Sequence, residues 1–395
     1  MNLQDPIVVV SALRTPIGRF LGSLADQTGV DLGVHVLRRL LEDLPPAAWP
    51  SRVILGSARQ AGTRPNPARQ VAIRSGLPET TVGSTVNMAC GSGMEAIAAG
   101  FRLLQTGEAE VVVTGGIESM SRVPYLLDRM RTGYRLGNGE LVDSMYRDGF
   151  DCPLAGQVMG ETAETLARKY SISRSEQDDF ALGSQERAVR ARDAGRFDDE
   201  LVPVPSARES GEVALARDEH PRAGTSLESL ARLPPVFAKD GTVTAGNASG
   251  ITDGAAALVL MKRSMAEQHG LGVLATLRGF ETAGVDPRVM GIGPVPAVRS
   301  LLAKVGRTLD DIDLVELNEA FAAQVIACDR ELGFDRERLN VNGGAIALGH
   351  PIGCTGARIT VTLLHEMERR DAALGLATLC ISGGLGMAML FERTH

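Results

Sequence analysis

Glycine is too dense near the end of this chain for the segment to form only regular helices and strands. Residues 340–390 contain NVNGGAIALGHPIGCTGAR and, after a helical run, GLATLCISGGLGMAML. A glycine inside a helix costs about 0.5–1 kcal/mol relative to alanine, so such a run is tolerable only where the backbone approaches another group closely or adopts a positive φ. We therefore expect an irregular, backbone-lined structure here.

Three reactive side chains are framed by glycines. His350 and Cys380 lie in the stretch just described, and Cys90 lies far upstream in VNMACGSG (86–93), before a small-residue run that could begin a helix. One histidine and two thiols in such surroundings suggest thiol chemistry, with backbone N–H groups as donors to an anion.

The composition is that of a soluble globular protein. The 395 residues are 44% hydrophobic and 23% charged, with a net charge of −7 and interspersed signs, which argues against a general nucleic-acid or membrane-surface role. No apolar run is long enough to span a bilayer, and the chain starts without a secretory pattern and ends in FERTH, not a peroxisomal signal. The cytoplasm is the expected compartment. Five cysteines without a C-x-x-C pair argue against disulfides and a zinc site.

Strand and helix signals alternate along the chain, which indicates parallel α/β construction. They weaken from Ile117 to about Gly250, where we expect an inserted loop domain. The two ends resemble each other: Val86-Asn87 precedes a glycine-rich turn, a helix and a strand ending near Gly115-Gly116, and Val341-Asn342 begins the same order. An internal duplication giving two similar α/β halves explains this most simply.

Cys90 falls between a strand and a helix start. The helix dipole and exposed N–H groups at that position lower a thiol pKa, which predicts a nucleophilic thiolate. His350, in a glycine-dense loop before Pro351, can act as a base or as a donor to an oxyanion. Cys380 ends an apolar strand and could be a second thiol for acid/base work. The alternatives are buried structural cysteines and a histidine that only forms a structural hydrogen bond.

Two further motifs carry polar groups. In Asn318-Glu319-Ala320-Phe321, Asn318 could orient a water molecule and Glu319 could fix a neighbouring imidazole, although Asn318 could equally cap a helix. Gly246–Gly250, which contains Ala248 and Ser249, could hold a polar ligand arm through its backbone and the Ser249 hydroxyl. A plain turn is the alternative.

Taken together and in this order, the motifs resemble those of the thiolase family over essentially the whole chain. They are VNMACGSGMEA (86–96), GGIESMS (115–121), GTVTAGNASGITDGAA (241–256), NEAFA (318–322), NGGAIALGHPIGCTGAR (342–358) and CISGGLGMA (380–388). The resemblance implies an α/β thiolase fold of two similar halves, with a layered α-β-α-β-α core and an inserted loop domain. The implied boundaries are 1–120, completed by 243–270, for the first half, 121–242 for the loop domain and 271–395 for the second half.

The resemblance also implies roles for individual residues. Cys90 matches the acyl-accepting nucleophile, His350 the histidine that activates it, Cys380 the thiol that moves the α-proton of acetyl-CoA, and Asn318 the asparagine that holds a water in an oxyanion hole. The residues that match the binding site for the coenzyme A thioester are Ser249, Ala248, Arg222, Met159, Phe237, Met290 and Phe321. The implied reaction is reversible conversion of two acetyl-CoA to acetoacetyl-CoA and CoA, or thiolysis of a longer 3-ketoacyl-CoA, in a homodimer or homotetramer without a permanent cofactor or metal.

Two positions depart from the family pattern. Ser382 stands where C-x-G-G-G has a glycine, and Val158-Met159 replaces the His-Met of many short-chain biosynthetic members. These leave the acyl-chain preference open. A decarboxylating ketoacyl synthase of the same fold is disfavoured by the second cysteine, and a non-catalytic lipid carrier would not need all three reactive residues.

Overall fold

A mixed sheet organises the molecule in the computed structural model, which describes residues 5–207 and 211–393. The two ends considered above for targeting signals therefore lie partly outside the described residues, as does 208–210 of the expected loop domain. The main strands are β1 (Ile7–Arg14), β2 (Arg52–Gly56), β3 (Val82–Val86), β4 (Val111–Ser119), β5 (Thr252–Lys262), β6 (Ala275–Gly284), β7 (Leu314–Leu317), β8 (Leu374–Ile381) and β9 (Leu385–Glu392).

Helices flank this sheet. The longer ones are α1 (Gly29–Glu42), α2 (Pro67–Arg74), α3 (Ser92–Thr106), α4 (Met159–Lys169), α5 (Arg174–Asp193), α6 (Pro294–Val305), α7 (Ala322–Leu332) and α8 (Ile352–Arg370). Short helices span Leu227–Ala231, Arg263–Gln268 and Ala345–Leu348, and two- or three-residue strands include Gly18–Arg19, Val204–Pro205 and Val213–Leu215. No helix in these described ranges has both the length and the apolar character that crossing a bilayer requires.

The strand order is β7-β8-β9-β6-β1-β5-β4-β2-β3. Pairing is parallel only between β7 and β8 and among β4, β2 and β3; the five central junctions are antiparallel. The expectation of parallel construction is therefore wrong for the centre of the sheet. There β9 directly follows β8 through a short turn, and a hairpin of this kind can only be antiparallel.

The two halves repeat one arrangement. The order β1-β5-β4-β2 in the first half corresponds to β6-β9-β8-β7 in the second, with the same succession of two antiparallel pairings and one parallel pairing. The halves join where β1 pairs with β6 through Val8 and Val9. This architecture agrees with the internal duplication inferred from the sequence.

The helices form three layers around the two halves of the sheet. Helices α1 and α2 pack on the outer face of the first half, and α6 and α7 on the outer face of the second. Helices α3 and α8 pack against each other and against both halves in one apolar cluster. These two central helices begin at Ser92 and Ile352, directly after Cys90 and His350, so the layering brings the two glycine-rich segments together.

Candidate active site

One cavity of about 490 Å³ contains most of the candidate residues. Its walls include Cys90, His350, Cys380, Ser249, Ala248, Arg222, Met159, Phe237, Met290 and Phe321. Asn318 is buried and does not form part of the wall, although it is only two and three residues before the wall residues Ala320 and Phe321. The fold thus brings together ten of the eleven residues that matched the catalytic and binding site, although they come from nine separate places in the chain.

Cys90 lies in a sharp connection between β3 and α3. Ala89 adopts a φ of +47°, which is uncommon for a residue with a side chain. The turn is held by Ser92, whose Oγ accepts a hydrogen bond from the Met88 N–H (2.9 Å) and donates one to the Ala89 carbonyl (2.6 Å). This tight turn presents the Cys90 thiol to the cavity.

The pKa of the Cys90 thiol is raised above its ordinary value, which corrects the expectation that the helix start lowers it. Burial is the largest cause. The backbone N–H groups of Ser382 and Cys90 and the charge of Arg59 act in the opposite direction but do not prevail. At neutral pH the thiol is therefore protonated, so Cys90 becomes a nucleophile only when a base removes its proton.

His350 is suited to be that base. It follows Gly349, whose φ is +101° and where an added Cβ would lie 2.3 Å from Thr252 Cγ2, so only glycine fits there. Burial, followed by the charges of Arg358 and Arg59, lowers the pKa of His350 to about 3. The imidazole is therefore neutral and able to accept a proton.

Thr355, in the first turn of α8, determines which nitrogen of His350 is the base. Its Oγ1 lies 2.6 Å from His350 Nδ1 and donates its own proton to the Pro351 carbonyl at 3.0 Å. The Thr355 hydroxyl has only one proton, and that proton is used in the bond to Pro351. We therefore assign the proton between Thr355 Oγ1 and His350 Nδ1 to Nδ1. Nε2 then has a free lone pair for the thiol. Thr355 was not singled out from the sequence; its signal was the hydroxyl placed five residues after His350, a little over one helical turn from Pro351.

Cys380 lies near the end of β8 and is 1% exposed. Its pKa is raised well above the ordinary value by burial first and by the neighbouring Cys90 and Cys328 second. The influence of Cys90 reflects two thiols close enough that both resist being charged at once. Cys380 is thus held as a protonated thiol, able to give a proton to a carbanion and to recover it.

Ser382 retains the backbone geometry of an oxyanion donor. It is absent from the residues with positive φ in the described chain, while Gly383 and Gly384 adopt φ values of +86° and +85°. The N–H groups of Ser382 and of Cys90 itself lie close enough to the Cys90 thiol to lower its pKa against the effect of burial. Two backbone donors are therefore available beside the thiol that would carry the acyl group.

Asn318 is 1% exposed, and neither of its side-chain amide atoms has a hydrogen-bond partner in the protein. It does not cap α7, because Phe321 occupies the N-cap position of that helix. A buried amide without protein partners is uncommon and fits a group that binds water or a ligand.

The suggestion that Glu319 fixes the imidazole is wrong. Its carboxylate accepts hydrogen bonds from Ser184 Oγ (2.6 Å), Asn340 Nδ2 (2.9 Å) and the Ile346 N–H (3.2 Å). Glu319 thereby holds the chain just before His350, whereas Thr355 contacts the ring.

The remaining candidate residues form the outer part of the cavity. Phe237 and Phe321 pack edge to face with their ring centroids 6.2 Å apart, beside Met290, Met159 and Ala248 in the cluster that contains Cys380. The Ser249 N–H donates to the Ala320 carbonyl at 3.0 Å, which fixes the loop. Arg222 is exposed at the rim, with its backbone N–H bonded to Gln185. The result is an apolar channel with a cation at its mouth.

Glu118, also unassigned by the sequence analysis, joins the two glycine-rich regions. Its buried carboxylate accepts hydrogen bonds from the N–H groups of Ala58 (3.1 Å), Arg59 (3.2 Å) and Gly353 (2.8 Å). Its position in the GGIESMS segment, directly after an apolar strand, was the available signal.

The site as a whole suits the transfer of an acyl group between thioesters. It combines a neutral base, the Cys90 thiol, a second protonated thiol and backbone N–H donors.

Comparison with known proteins agrees with this chemistry. The thiolase N-terminal domain family matches residues 7–264 and the thiolase C-terminal domain family residues 271–393. Acetyl-CoA acetyltransferases of Pseudomonas aeruginosa and Escherichia coli are each 52% identical, covering 99% and 98% of this chain and 100% and 99% of their own.

Solved structures agree as well. The acetyl-CoA acetyltransferase of Bacillus anthracis superimposes with a TM-score of 0.96 at 47% identity, covering all of both chains. Human mitochondrial 3-ketoacyl-CoA thiolase in complex with CoA superimposes with a TM-score of 0.95 at 43% identity, covering 99% of this chain and 98% of its own. This chain belongs to the thiolase family.

Proposed function

We propose that this protein is an acetyl-CoA acetyltransferase, which reversibly condenses two acetyl-CoA to acetoacetyl-CoA and CoA. The single observation that carries the proposal is the presence of Cys90, neutral His350 and Cys380 around one cavity. The names and full-length coverage of the relatives support the same reaction.

In the first half-reaction, His350 Nε2 takes the proton of Cys90, and the thiolate attacks the carbonyl carbon of acetyl-CoA. The new C–S bond forms, the bond to CoA breaks, and the CoA sulfur leaves with the proton from His350. The N–H groups of Cys90 and Ser382 stabilise the transient oxyanion. The product is acetyl-Cys90.

In the second half-reaction, Cys380 first passes its proton to Nε2 of the neutral His350, which lines the same cavity, and the resulting Cys380 thiolate removes an α-proton from a second acetyl-CoA. The resulting carbanion attacks acetyl-Cys90, a C–C bond forms, and the Cys90 sulfur leaves with the proton that His350 holds, which restores the Cys90 thiol and the neutral imidazole. Cys380 needs a high pKa for this step, because a base that removes a weakly acidic carbon-bound proton must bind that proton tightly. His350 Nε2 and a water held by Asn318 would stabilise the enolate oxygen.

The thioester itself would occupy the outer cavity. We assign the pantetheine arm to the channel formed by Ser249, Ala248, Met159, Phe237, Met290 and Phe321, and the CoA phosphates to the neighbourhood of Arg222. The apolar walls fit an uncharged arm, and the exposed cation fits an anionic end. The CoA complex of the human relative supports a CoA thioester as substrate.

A direct test is the CoA-dependent loss of the acetoacetyl-CoA enolate absorbance, compared with that of 3-ketohexanoyl-CoA. Turnover of acetoacetyl-CoA by the wild type and none by Cys90→Ala is the expected result. If the purified wild type causes no CoA-dependent loss of the enolate absorbance, a non-catalytic lipid carrier becomes the better explanation.

The remaining parts of the proposal concern assembly and setting. We propose a homodimer formed by edge pairing of the first halves, for which the partly exposed edge strand β3 is suited, and a homotetramer joined through 121–148, where Met130, Leu136 and Leu141 are exposed. We also propose the three-part division given above, a cytoplasmic location and a role in fatty acid metabolism. Light scattering that shows a monomer at micromolar concentration would refute the assembly.

A further inference from the structure

Arg59 is a buried cation in the wall of the catalytic cavity. It is 8% exposed, it follows Ala58 in the loop after β2, and its backbone is fixed by the Glu118 carboxylate. Its guanidinium lies over the Phe150 ring at 5.8 Å, and Nη1 donates to the Asp148 carbonyl at 3.4 Å. Nothing in the reaction described above requires a charge at this place.

The charge of Arg59 is not matched by a bonded carboxylate. Its Nε is buried without a hydrogen-bond partner, and among the described residues Arg59 takes part in no ion pair. Arg14, which is fully buried, has Glu200 at 2.6 Å and Asp218 at 2.7 Å. The buried Glu118 carboxylate interacts electrostatically with Arg59 and binds its backbone N–H, but it is not bonded to the guanidinium. A buried guanidinium with an unused donor is suited to receive an anion from a ligand.

The position of Arg59 assigns that anion to the acyl end of the substrate. Two separate apolar clusters contact the two catalytic thiols. The one around Cys380 contains Phe321, Met290 and Ala248, which belong to the channel that we assign to the pantetheine arm. The other contains Ala58, Met120, Met145 and Ile352, with Cys90 and Phe150 packed against it.

Arg59 belongs to the second cluster through its neighbour Ala58 and its contact with Phe150. Its charge also reaches both Cys90 and His350, since it acts on the pKa of each. In thiolysis, Cys90 attacks the 3-keto carbon and the bond between C2 and C3 breaks. The carbanion at C2 takes the proton of Cys380 and leaves as acetyl-CoA, while the distal acyl group stays on Cys90. The far end of that group would therefore lie on the side of the cavity where Arg59 is found.

We propose that Arg59 binds a carboxylate at the far end of the acyl chain, so that this site prefers 3-ketoacyl-CoA substrates whose acyl group ends in a carboxylate. This inference rests on the proposed thiolase function and narrows its substrate class. A guanidinium matches a carboxylate with paired N–H donors, and Nε supplies an unused donor. The preference should amount to about ten- to a hundredfold in kcat/KM, the range of a hydrogen bond to a charged group.

The first experiment compares wild-type thiolysis of 3-ketoadipyl-CoA and 3-ketohexanoyl-CoA, which have the same number of carbons and differ in the terminal carboxylate. We expect the carboxylate substrate to be favoured by at least about tenfold in kcat/KM, chiefly through KM, because the contact is made in the ground state as well. Equal values, or a preference for the neutral chain, would overturn the proposal. If the wild type also fails to cleave acetoacetyl-CoA, the proposed function itself is wrong.

The second experiment assigns the preference to Arg59. Arg59→Met removes the charge and keeps an apolar side chain beside Phe150, and Arg59→Lys keeps the charge without the planar donors. We expect the ratio of the two kcat/KM values to fall to about one in Arg59→Met and to be partly restored in Arg59→Lys. Arg64→Met is the matched control: Arg64 is an exposed cation of the same loop, outside this cavity, and its removal should leave the ratio unchanged.

A merely electrostatic role for Arg59 toward Cys90 gives a different result. In that case Arg59→Met would slow both substrates by the same factor and leave their ratio as in the wild type, and the proposal would be wrong. If Arg59→Met does not fold, as judged by circular dichroism, Arg59→Gln replaces it. The wild-type comparison decides the substrate class without any variant.

Discussion

We expect fast acylation of Cys90 to depend on the hydrogen bond between Thr355 and His350. Thr355→Val replaces the hydroxyl with a methyl group of similar size, so it removes the acceptor for His350 Nδ1–H at 2.6 Å with little change in packing. The imidazole can then rotate or adopt the other tautomer, in which Nε2 carries the proton and cannot accept one from Cys90. We expect acylation of Cys90 to slow.

The size of the effect follows from the surroundings of the ring. His350 is 7% exposed, and no other contact to its ring nitrogens is formed within the described chain, so the lost bond is not replaced by another protein group. An unsatisfied buried donor costs about 1–3 kcal/mol. At 1.36 kcal/mol per factor of ten, kcat should fall by about 5- to 150-fold.

The assay is a rapid-mixing measurement of acetyl-Cys90 formation from acetyl-CoA, with steady-state thiolysis beside it. Thr355→Ser, which restores a hydroxyl, should recover most of the rate. Thr360→Val removes a second buried hydroxyl of α8, one bonded only to the Gly356 carbonyl, and should leave the acylation rate unchanged. Wild-type rates in Thr355→Val would show that His350 does not depend on this bond for its orientation.

Three further predictions concern the other groups of the site. Ser382→Gly should change kcat by less than about tenfold and act mainly on acyl-chain preference, because the donor is a backbone N–H; a hundredfold gain on acetoacetyl-CoA would show that the serine had impaired the oxyanion hole. Cys380→Ala should still form acetyl-enzyme but lose deuterium exchange into the methyl group of acetyl-CoA, and exchange at the wild-type rate measured by NMR would contradict its acid/base role. His350 should make stability depend on pH. Between pH 6.5, its ordinary pKa, and about pH 3, its pKa in the folded chain, the unfolded chain binds a proton at His350 that the folded chain does not. The free energy of unfolding should therefore fall by about 1.4 kcal/mol for each unit that the pH is lowered in this range. Denaturant unfolding at a series of pH values should give a flatter curve for His350→Asn, and an unchanged slope would refute this.

Local sequence patterns predicted much of the fold. The helices after Cys90 and His350 were expected from the sequence, and they begin at Ser92 and Ile352. These elements are long or bounded by glycine and proline, which end regular structure for local reasons. The strand Leu385–Glu392 was not recognised, because Gly386 within it and Gly383-Gly384 before it obscure its pattern. An added Cβ at Gly386 would lie 2.0 Å from the Gly293 carbonyl carbon, a requirement set by a distant segment.

The electrostatics of the site could not be predicted in this way. The helix start beside Cys90 suggested a lowered thiol pKa, but burial by side chains from several segments raises it. The partner of His350 was sought in Glu319, whose carboxylate instead holds 340–346, while Thr355 lies in the helix that follows the histidine. Burial and hydrogen-bond partners depend on contacts between distant parts of the chain, which composition and spacing do not determine.

The central claim is that Cys90 carries the acyl group while Cys380 handles the proton. The most direct test is to incubate the enzyme with acetyl-CoA without an acceptor, to quench and digest it, and to locate the acetyl group by peptide mass spectrometry. We predict acetyl on the peptide that contains Cys90 and none on the peptide that contains Cys380. Acetyl on Cys380 alone would contradict the assignment of the two thiols.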